Sequence, residues 1–364
     1  MPVKKKKKIS VLKKNIAIGG TGLTQKALLA KHLAVMQRSG LSIVESLDIV
    51  ADSAQGKMKN ILIKIRESVE SGNSLSDAFQ RYDNIFPGIF ISAIYAGEKS
   101  GTLDENLEHL AEQLQKEKNL VSKVKGAMLY PIVVLIASFI LAMTMSFLVL
   151  PKIIPLFQGL KTELPLSTRL LIQFSQIVND HGPLLFFSIT GTVLFVIWLF
   201  RRKFMRPISH WLLLHLPVLS SISHNVNLAR FSRTLSTLLR SGLNVDEALA
   251  VTRQSLGNYY YQHALDKVLH RLEKGSSMAE NLGLYPRLFP SMVTRMVLVG
   301  EESGNLEDTL NYLAEFYEVE VDNATKSLAT AIEPILLLGI GMIVAFLAIS
   351  IITPIYNITG SIKR

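Results

Sequence analysis

The apolar residues in the first part of the chain recur at the spacing of an α-helix. Leu29, Leu33 and Met36 are four and then three residues apart, so they share one face of a helix that we expect to begin at Thr24. A second seam of the same kind consists of Leu103, Leu107, Leu110 and Leu114. These patterns predict a bundle of helices that each turn one apolar face inward.

Residues that start or stop helices divide this region further. Ser42 and Glu45 have the spacing of a capping box, in which each side chain bonds a free amide of the first helical turn. Gly40 and Gly101 follow helical stretches and are suited to end them. Pro87 interrupts the pattern before another helical stretch that runs to Glu98. The sequence therefore predicts six helices with short connections.

The same pattern occurs a second time. Phe-Pro followed by Gly-Glu-Lys-Ser-Gly in residues 86–101 returns as Phe-Pro and Gly-Glu-Glu-Ser-Gly in 289–304, an offset of 203. Arg-Ser-Gly-Leu at 38–41 returns at 240–243, an offset of 202, which indicates a one-residue insertion before Ser277. Asn244 and Ser277 stand where Ser42 and Ser74 cap helices, so both copies are expected to share one fold. The repeated glycines are Gly40, Gly97, Gly101, Gly242, Gly300 and Gly304.

Three apolar runs without charged residues predict membrane-spanning helices. They cover residues 132–150, 184–200 and 334–353, and about 20 helical residues cross the hydrocarbon core. Pro131 directly precedes the first run and Pro334 is the first residue of the third, at matched positions in the two copies. Each proline is expected at the first position of its helix, where the missing amide costs nothing. Because both copies lead into a span in the same direction, the middle run must return the chain across the membrane.

The predicted fold is an all-α membrane protein with two homologous cytoplasmic six-helix bundles and three transmembrane helices. The N-terminus is expected in the cytoplasm and the C-terminus outside. The predicted segments are a basic N-terminal lead (1–23), the first bundle (24–130), transmembrane helix 1 (131–150), an external loop (151–182), transmembrane helix 2 (183–200), a membrane-proximal connector (201–223), the second bundle (224–333), transmembrane helix 3 (334–353) and an external tail (354–364).

Composition and charge agree with a membrane protein. Hydrophobic residues make up 49% of the chain, and the net charge is +10. Much of the positive charge lies in Lys4–Lys8 and in residues 201–206, where it suits the cytoplasmic side of a membrane and attracts anionic lipids. A solvated basic tail is an equally good interpretation of the lysine run, and a nucleic-acid anchor is a third option. Since no nucleic-acid-binding motif accompanies the charge, we predict no nucleic-acid partner.

The sequence contains little that predicts chemistry. It has no cysteine, which excludes thiol catalysis and thiolate metal sites. Gly19–Gly22 lacks the lysine of a phosphate-binding loop and is interpreted as a linker. Glu98 and Glu301 lie between repeated glycines and either brace a helix corner or face a partner, with divalent-ion binding as a minor alternative. We predict no catalytic residue, cofactor or metal ligand.

Taken together, the paired motifs resemble the type IV pilus and type II secretion inner-membrane platform family (PilC/GspF). The resemblance is carried by the paired Arg-Ser-Gly-Leu, the Phe-Pro and Gly-Glu-x-Ser-Gly-x-Leu motifs, the Tyr-Pro and Glu-Pro entries to the spans, and Leu150-Pro151-Lys152 through Leu164-Pro165. It covers about residues 24–358. The chain differs from many members in its short lysine-rich lead, which replaces a further N-terminal segment.

The resemblance implies a non-enzymatic platform in the cell inner membrane. Its implied partners are a cytoplasmic hexameric assembly ATPase, pilin or pseudopilin subunits, other inner-membrane assembly proteins, membrane lipids and further copies of itself. A small membrane transporter or intramembrane enzyme is the alternative, although the spans lack the ionisable residues that transport pathways require. The candidate residues for partner contact are Arg38, Glu98, Lys99 and Ser100, with their copies Arg240, Glu301, Glu302 and Ser303.

Overall fold

The structure is a computed structural model of the 364-residue chain. It describes residues 22–144, 202–217 and 219–361, together with single residues and short groups between 169 and 200. The lysine-rich start of the chain, the predicted linker up to Thr21 and most of the predicted external loop lie outside the described residues.

The first copy of the repeated pattern folds into six helices in the expected order. Serine caps two of them: the Ser42 and Glu45 side chains form the predicted capping box of the second helix, and Ser74 accepts from the Asp77 amide at the start of the fourth. The helices are α1 (Leu23–Arg38), α2 (Ile43–Ser53), α3 (Gly56–Glu70), α4 (Leu75–Gln80), α5 (Gly88–Ser100) and α6 (Leu103–Thr144).

The second copy repeats this order after a short helix, α7 (Arg206–His215). Its helices are α8 (Leu219–Arg240), α9 (Val245–Ser255), α10 (Tyr259–Leu272), α11 (Met278–Gly283), α12 (Ser291–Ser303) and α13 (Leu306–Ser361). The extra residue lies between α9 and α10, where residues 256–258 replace the two-residue connection 54–55.

The caps of the second copy are reproduced only in part. Ser277 accepts a hydrogen bond from the Glu280 amide, as Ser74 does from the Asp77 amide. Asn244 occupies the N-cap position of α9, as expected, but its side chain makes no cap hydrogen bond. Good capping residue types thus occupy both positions, but only one uses its side chain.

Buried aromatic rings fill the centre of each copy. In the first, Phe79, Phe86 and Phe90 lie with their ring centroids 4.7–5.1 Å apart. In the second, Phe289 contacts both Phe231 and Tyr261, at 5.3 and 5.4 Å. Edge-on and tilted ring pairs of this kind add to the stabilisation from burial alone. The Phe of each Phe-Pro motif is therefore a core residue.

The chain divides into two compact units. One contains the residues up to Val121 together with Asn225–Val319, so both copies of the repeat belong to it. The other contains Ser122–His224 and Glu320–Arg364. Within this second unit, Lys123 of α6 forms an ion pair with Asp322 of α13 at 3.2 Å, and Lys326 pairs with the same carboxylate at 2.8 Å.

Among the described residues, two helices are long and apolar enough to cross a membrane, namely those that include Leu103–Leu141 and Leu306–Ser350. Their apolar windows are almost wholly exposed, as lipid-facing surfaces are. The middle run contributes a shorter apolar helix, Thr190–Phe200. The middle span therefore stays a prediction.

The expected position of the span-entry prolines is wrong. Pro131 lies in the interior of α6 and Pro334 in the interior of α13, and α13 also continues past Pro354 to Ser361. A proline inside a helix removes one backbone hydrogen bond, while the rest of the ladder holds the helix together. Each apolar segment is thus continuous with the helical stretch that precedes it.

Candidate functional site

The repeated Gly-Glu-x-Ser-Gly motif forms a sharp corner between two helices in each copy. Gly101 directly follows the last residue of α5 and Gly304 that of α12, and both glycines have a left-handed backbone, with φ of 72° and 67°. Side chains with a Cβ rarely adopt this conformation, so glycine is needed to let α6 and α13 begin two residues later.

A second glycine in each motif permits close helix packing. A Cβ on Gly97 would lie 2.9 Å from the Leu103 Cα, and one on Gly300 would lie 2.9 Å from the Leu306 Cα. Contacts that short with backbone atoms require the helices to separate. The motif therefore brings the end of one helix against the start of the next.

The glutamate of the motif is bound within its own copy. Glu98 accepts hydrogen bonds from the Leu75 amide at 2.5 Å and from the amide and hydroxyl of Ser76 at 2.9 and 2.5 Å. Glu301 accepts from the Met278 and Ala279 amides at 2.7 and 3.0 Å, and from the Ser277 hydroxyl at 2.6 Å. In both copies the carboxylate satisfies free amides in the first turn of a short helix, where negative charge is favourable.

This geometry favours a structural role for the two glutamates. Each carboxylate uses both oxygens on donors of its own copy, at positions where an amide would otherwise lack a partner. A partner protein would have to break those hydrogen bonds to bind either group. The glutamates brace the helix corner, and the exposed charge beside them belongs to the neighbouring residues Lys99 and Glu302.

The other candidate residues surround the corner. Arg38 forms an ion pair with Asp104 at 3.7 Å, and Arg240 forms one with Asp308 at 3.6 Å. The hydroxyls of Ser100 and Ser303 donate to carbonyl oxygens one turn back in their own helices. Both serines are thus engaged in their own helices.

Lys99 and Glu302 occupy the same position in the two copies and are both exposed. The Lys99 ammonium lies 5.1 Å from the centroid of the Tyr95 ring. Its hydrogen bond to Tyr95 raises the pKa of Lys99, and Glu247 adds a smaller effect in the same direction. The corners therefore present opposite charges at equivalent positions.

The two copies also contact each other through polar side chains that no sequence motif predicted. Arg230 of α8 binds both carboxylate oxygens of Glu117 on α6, at 3.1 and 2.6 Å. The Gln113 side chain lies 3.4 Å from the hydroxyls of Thr234 and Thr237. The sequence feature that could have indicated this contact is a polar stripe at helical spacing in α8, Arg230, Thr234 and Thr237. The first copy has Leu28, His32 and Val35 at the equivalent positions of α1.

A second part of this contact joins α5 to α9. A Cβ on Gly88 would lie 3.8 Å from Val251 and 3.6 Å from Gln254, both on α9. We call the whole contact, α5 and α6 of the first copy against α8 and α9 of the second, the inter-repeat interface.

Comparison with known proteins identifies both copies separately. The family described as type II secretion system (T2SS), protein F, matches residues 29–151 and again 231–354. The two matched ranges are about 200 residues apart, as the repeated motifs are. Family comparison thus places one family domain in each half of the chain.

Relatives match the chain along nearly its whole length. It is 35% identical to the type IV pilus assembly protein PilC of Thermus thermophilus over 94% of the chain and 85% of the relative. Identity to PilC of Myxococcus xanthus is 34%, covering 100% and 87%. A type II secretion system protein F from Aeromonas hydrophila is 29% identical over 94% of the chain and 89% of its own length.

Proposed function

We propose a function for this chain from its family: it belongs to the type II secretion system protein F family. Proteins of this family are non-enzymatic structural platform proteins. We propose that this chain is the inner-membrane platform of a type IV pilus or type II secretion machine. The match of both family domains, together with relatives named for both processes, is the observation that carries the proposal.

In this proposal the chain couples a separate ATPase to filament assembly. A cytoplasmic hexameric ATPase binds the two bundles, and pilin or pseudopilin subunits pack their apolar stems against the membrane helices. Two continuous helices, α6 and α13, each join a cytoplasmic bundle to an apolar, exposed segment. A displacement of the bundles would therefore be transmitted to the membrane along a continuous helix, although Pro131 and Pro334 each remove one of its backbone hydrogen bonds.

The proposal places both bundles in the cytoplasm and uses three spans. The inter-repeat contact supports this topology, because Glu117 and Arg230 bind each other and so lie on the same side of the membrane. If α6 carries the chain across the membrane after Glu117, a second crossing must return it before Arg230. Residues 184–200 are proposed as that crossing, which leaves the C-terminus outside.

Lys99 and Glu302, with Arg38 and Arg240 beside them, are the residues we propose for ATPase contact. Exposed charges of this kind affect partner choice and association rate more than stability. Glu98 and Glu301 are expected to act indirectly, since they hold the corner that presents the exposed charges.

The test compares charge reversal at the surface with removal of the internal charge. Lys99→Glu and Glu302→Lys should each reduce ATPase co-purification about fivefold and lower piliation or secretion, because an exposed charge pair contributes about 1 kcal/mol. Their thermal unfolding in detergent should match that of the unchanged chain. Glu98→Gln should instead lower the unfolding temperature, because an amide has only one oxygen to replace the two acceptors.

Two results would contradict this assignment. Normal ATPase binding and filament assembly in a Lys99→Glu, Glu302→Lys double variant would exclude the corners as a docking site. Solute flux through the purified chain in vesicles without partner proteins would favour a transporter.

A further inference from the structure

The two copies of the repeat contact each other head to tail. α5 and α6 of the first copy pack against α8 and α9 of the second, and α8 and α9 correspond to α1 and α2. If the two copies were related by a two-fold axis, α12 and α13 would also pack against α1 and α2 of the same chain. They do not pack in this way, because apolar side chains on all four helices are exposed. The face of α5 and α6 and the face of α8 and α9 are therefore covered within the chain. Their equivalents, α12 and α13 in the second copy and α1 and α2 in the first, are left uncovered.

The unused faces are apolar. Most of the large apolar side chains exposed in this unit lie on them, and the others are Tyr95, Tyr259 and Leu284. The exposed residues are Leu28 and Val35 on α1, Ile49 on α2, Leu298 and Val299 on α12, and Tyr312 and Val319 on α13. We call α1 and α2 the front face and α12 and α13 the rear face.

The equivalent positions in the other copy lie in or beside the inter-repeat interface. Val299 is 52% exposed, whereas its counterpart Ala96 on α5 is 7% exposed. On the front face, Val35 is exposed, and its counterpart Thr237 donates a hydrogen bond to Gln113. Leu28 likewise corresponds to Arg230, which binds Glu117. The repeat thus shows what each unused face contacts when it is covered.

We propose that a second copy of this chain covers these faces. The rear face of one chain binds the front face of the next, in the arrangement that the inter-repeat interface already forms within each chain. Such an interface joins two different surfaces, so it continues from chain to chain and forms a ring where the rotation between chains closes, or an open filament where it does not. The inference concerns the chain's own surfaces and does not depend on the proposed ATPase contact.

The difference in chemistry between the two interfaces fits this proposal. The copies within a chain are tethered, so their effective concentration is high and polar contacts suffice. Separate chains lack that advantage and need apolar anchors at the interface centre. Phe316, half-buried on α13, stands where Gln113 stands on α6, and it would face Val35 of the next chain.

One counterpart pair is unfavourable. Glu247 acts on Lys99 within the chain, and the equivalent residues between chains are Glu45 and Glu302. Both are exposed, and Glu45 bonds Ser42 of its own capping box. Repulsion between exposed charges is screened over about 8 Å at physiological ionic strength. Association between chains is therefore expected to strengthen as salt is added.

Cysteine cross-linking in native membranes tests the proposed register, because the chain has no cysteine of its own. Val35→Cys in one tagged full-length chain and Phe316→Cys in a second should form a cross-linked pair on co-expression. Their counterparts Thr237 and Gln113 are 3.4 Å apart. Each variant expressed alone should not cross-link to itself. Leu284→Cys, exposed outside both faces, is the control partner and should not react with Val35→Cys.

A matched pair of substitutions at one position tests the chemistry. Val299→Ala copies Ala96, the buried residue at the equivalent position of α5, and should keep most of the cross-linking, whereas Val299→Glu should reduce it at least fivefold. Thermal unfolding should be alike in the two variants, since position 299 is exposed in the single chain. Cross-linking of Val35→Cys to itself would overturn the proposal in favour of a two-fold dimer. Failure of positions 35 and 316 to cross-link would also overturn it.

Discussion

Single residues at the helix corners determine how closely the helices approach. Gly97 and Gly300 touch the following helix through positions that have no room for a side chain. The repeated glycine was recognisable in the sequence, but its reason was not. Gly101 and Gly304 need backbone freedom, whereas Gly97 and Gly300 need space, and only the packed structure separates these two requirements.

Substitution of these close-packed glycines should destabilise the fold. Gly97→Ala and Gly300→Ala are each expected to lower the free energy of unfolding by about 1–3 kcal/mol, because the new methyl group overlaps backbone atoms of the next helix. Gly126→Ala is the matched control. Nothing lies within 4 Å of its Cβ position, so this change should be neutral or stabilise α6 by up to about 1 kcal/mol.

Thermal or chemical unfolding of the purified full-length variants measures both effects. Equal stabilities for Gly97→Ala and Gly126→Ala would show that the corner has more room than the structure indicates.

At the scale of whole helices, equivalent caps contribute unequally. Ser42 and Glu45 complete a capping box, whereas Asn244 makes no side-chain cap hydrogen bond. Both positions carry residue types that often cap helices, so the sequence predicted the same role for each. The actual use of a cap depends on side-chain conformation, which residue type alone does not determine.

This difference predicts unequal effects of alanine. Ser42→Ala should lower the free energy of unfolding by about 1 kcal/mol, and Asn244→Ala by only a few tenths. Hydrogen bonds from Ser42 lower the pKa of Glu45. A carboxyl whose pKa is lower in the folded state stabilises the fold above its unfolded pKa, and this contribution is lost as the pH falls through the folded pKa.

The stability difference between the unchanged chain and Ser42→Ala should therefore be full at pH 7 and shrink below about pH 4. Denaturant titrations at several pH values measure it. A difference that stays constant down to pH 3 would show that the bonds of Ser42 to the Glu45 carboxylate contribute nothing to it.

The two long helices, α6 and α13, are each continuous from their bundle into the apolar segment. Pro131 and Pro334 were expected to start the spans, yet both lie within unbroken helices. Proline fits the first turn best, but a long helix retains enough hydrogen bonds on both sides to continue through one. Apolar length predicted the two helices that are long enough to cross a membrane, whereas their continuity with the preceding helical stretch required the structure.

At the scale of the whole molecule, the pairing of the two copies limits the membrane topology. Contacts such as Glu117 with Arg230 hold parts of both copies in one compact unit. We expect this to require two crossings between them and therefore three spans in all.

Labelling with a membrane-impermeant thiol reagent tests that topology in intact cells. Cysteines placed singly at Ser71 and Lys274 should react only after permeabilisation, and those at Ser167 and Ser361 should react from outside. External labelling at Lys274 with internal labelling at Ser361 would instead indicate two spans. Each variant should keep filament assembly, which serves as the control for correct insertion.

The sequence by itself determined the helical class, the duplication and the positions of most helices, because helical spacing, caps and repeated motifs are local properties. It also identified the family, which the matched relatives confirm. Tertiary structure decided the roles of particular residues. It turned Glu98 and Glu301 inward as caps, and it joined the two copies through α6 and α8. Those roles depend on which surfaces pack together in the folded chain. Contacts between residues that are far apart in sequence cannot be predicted from local sequence patterns.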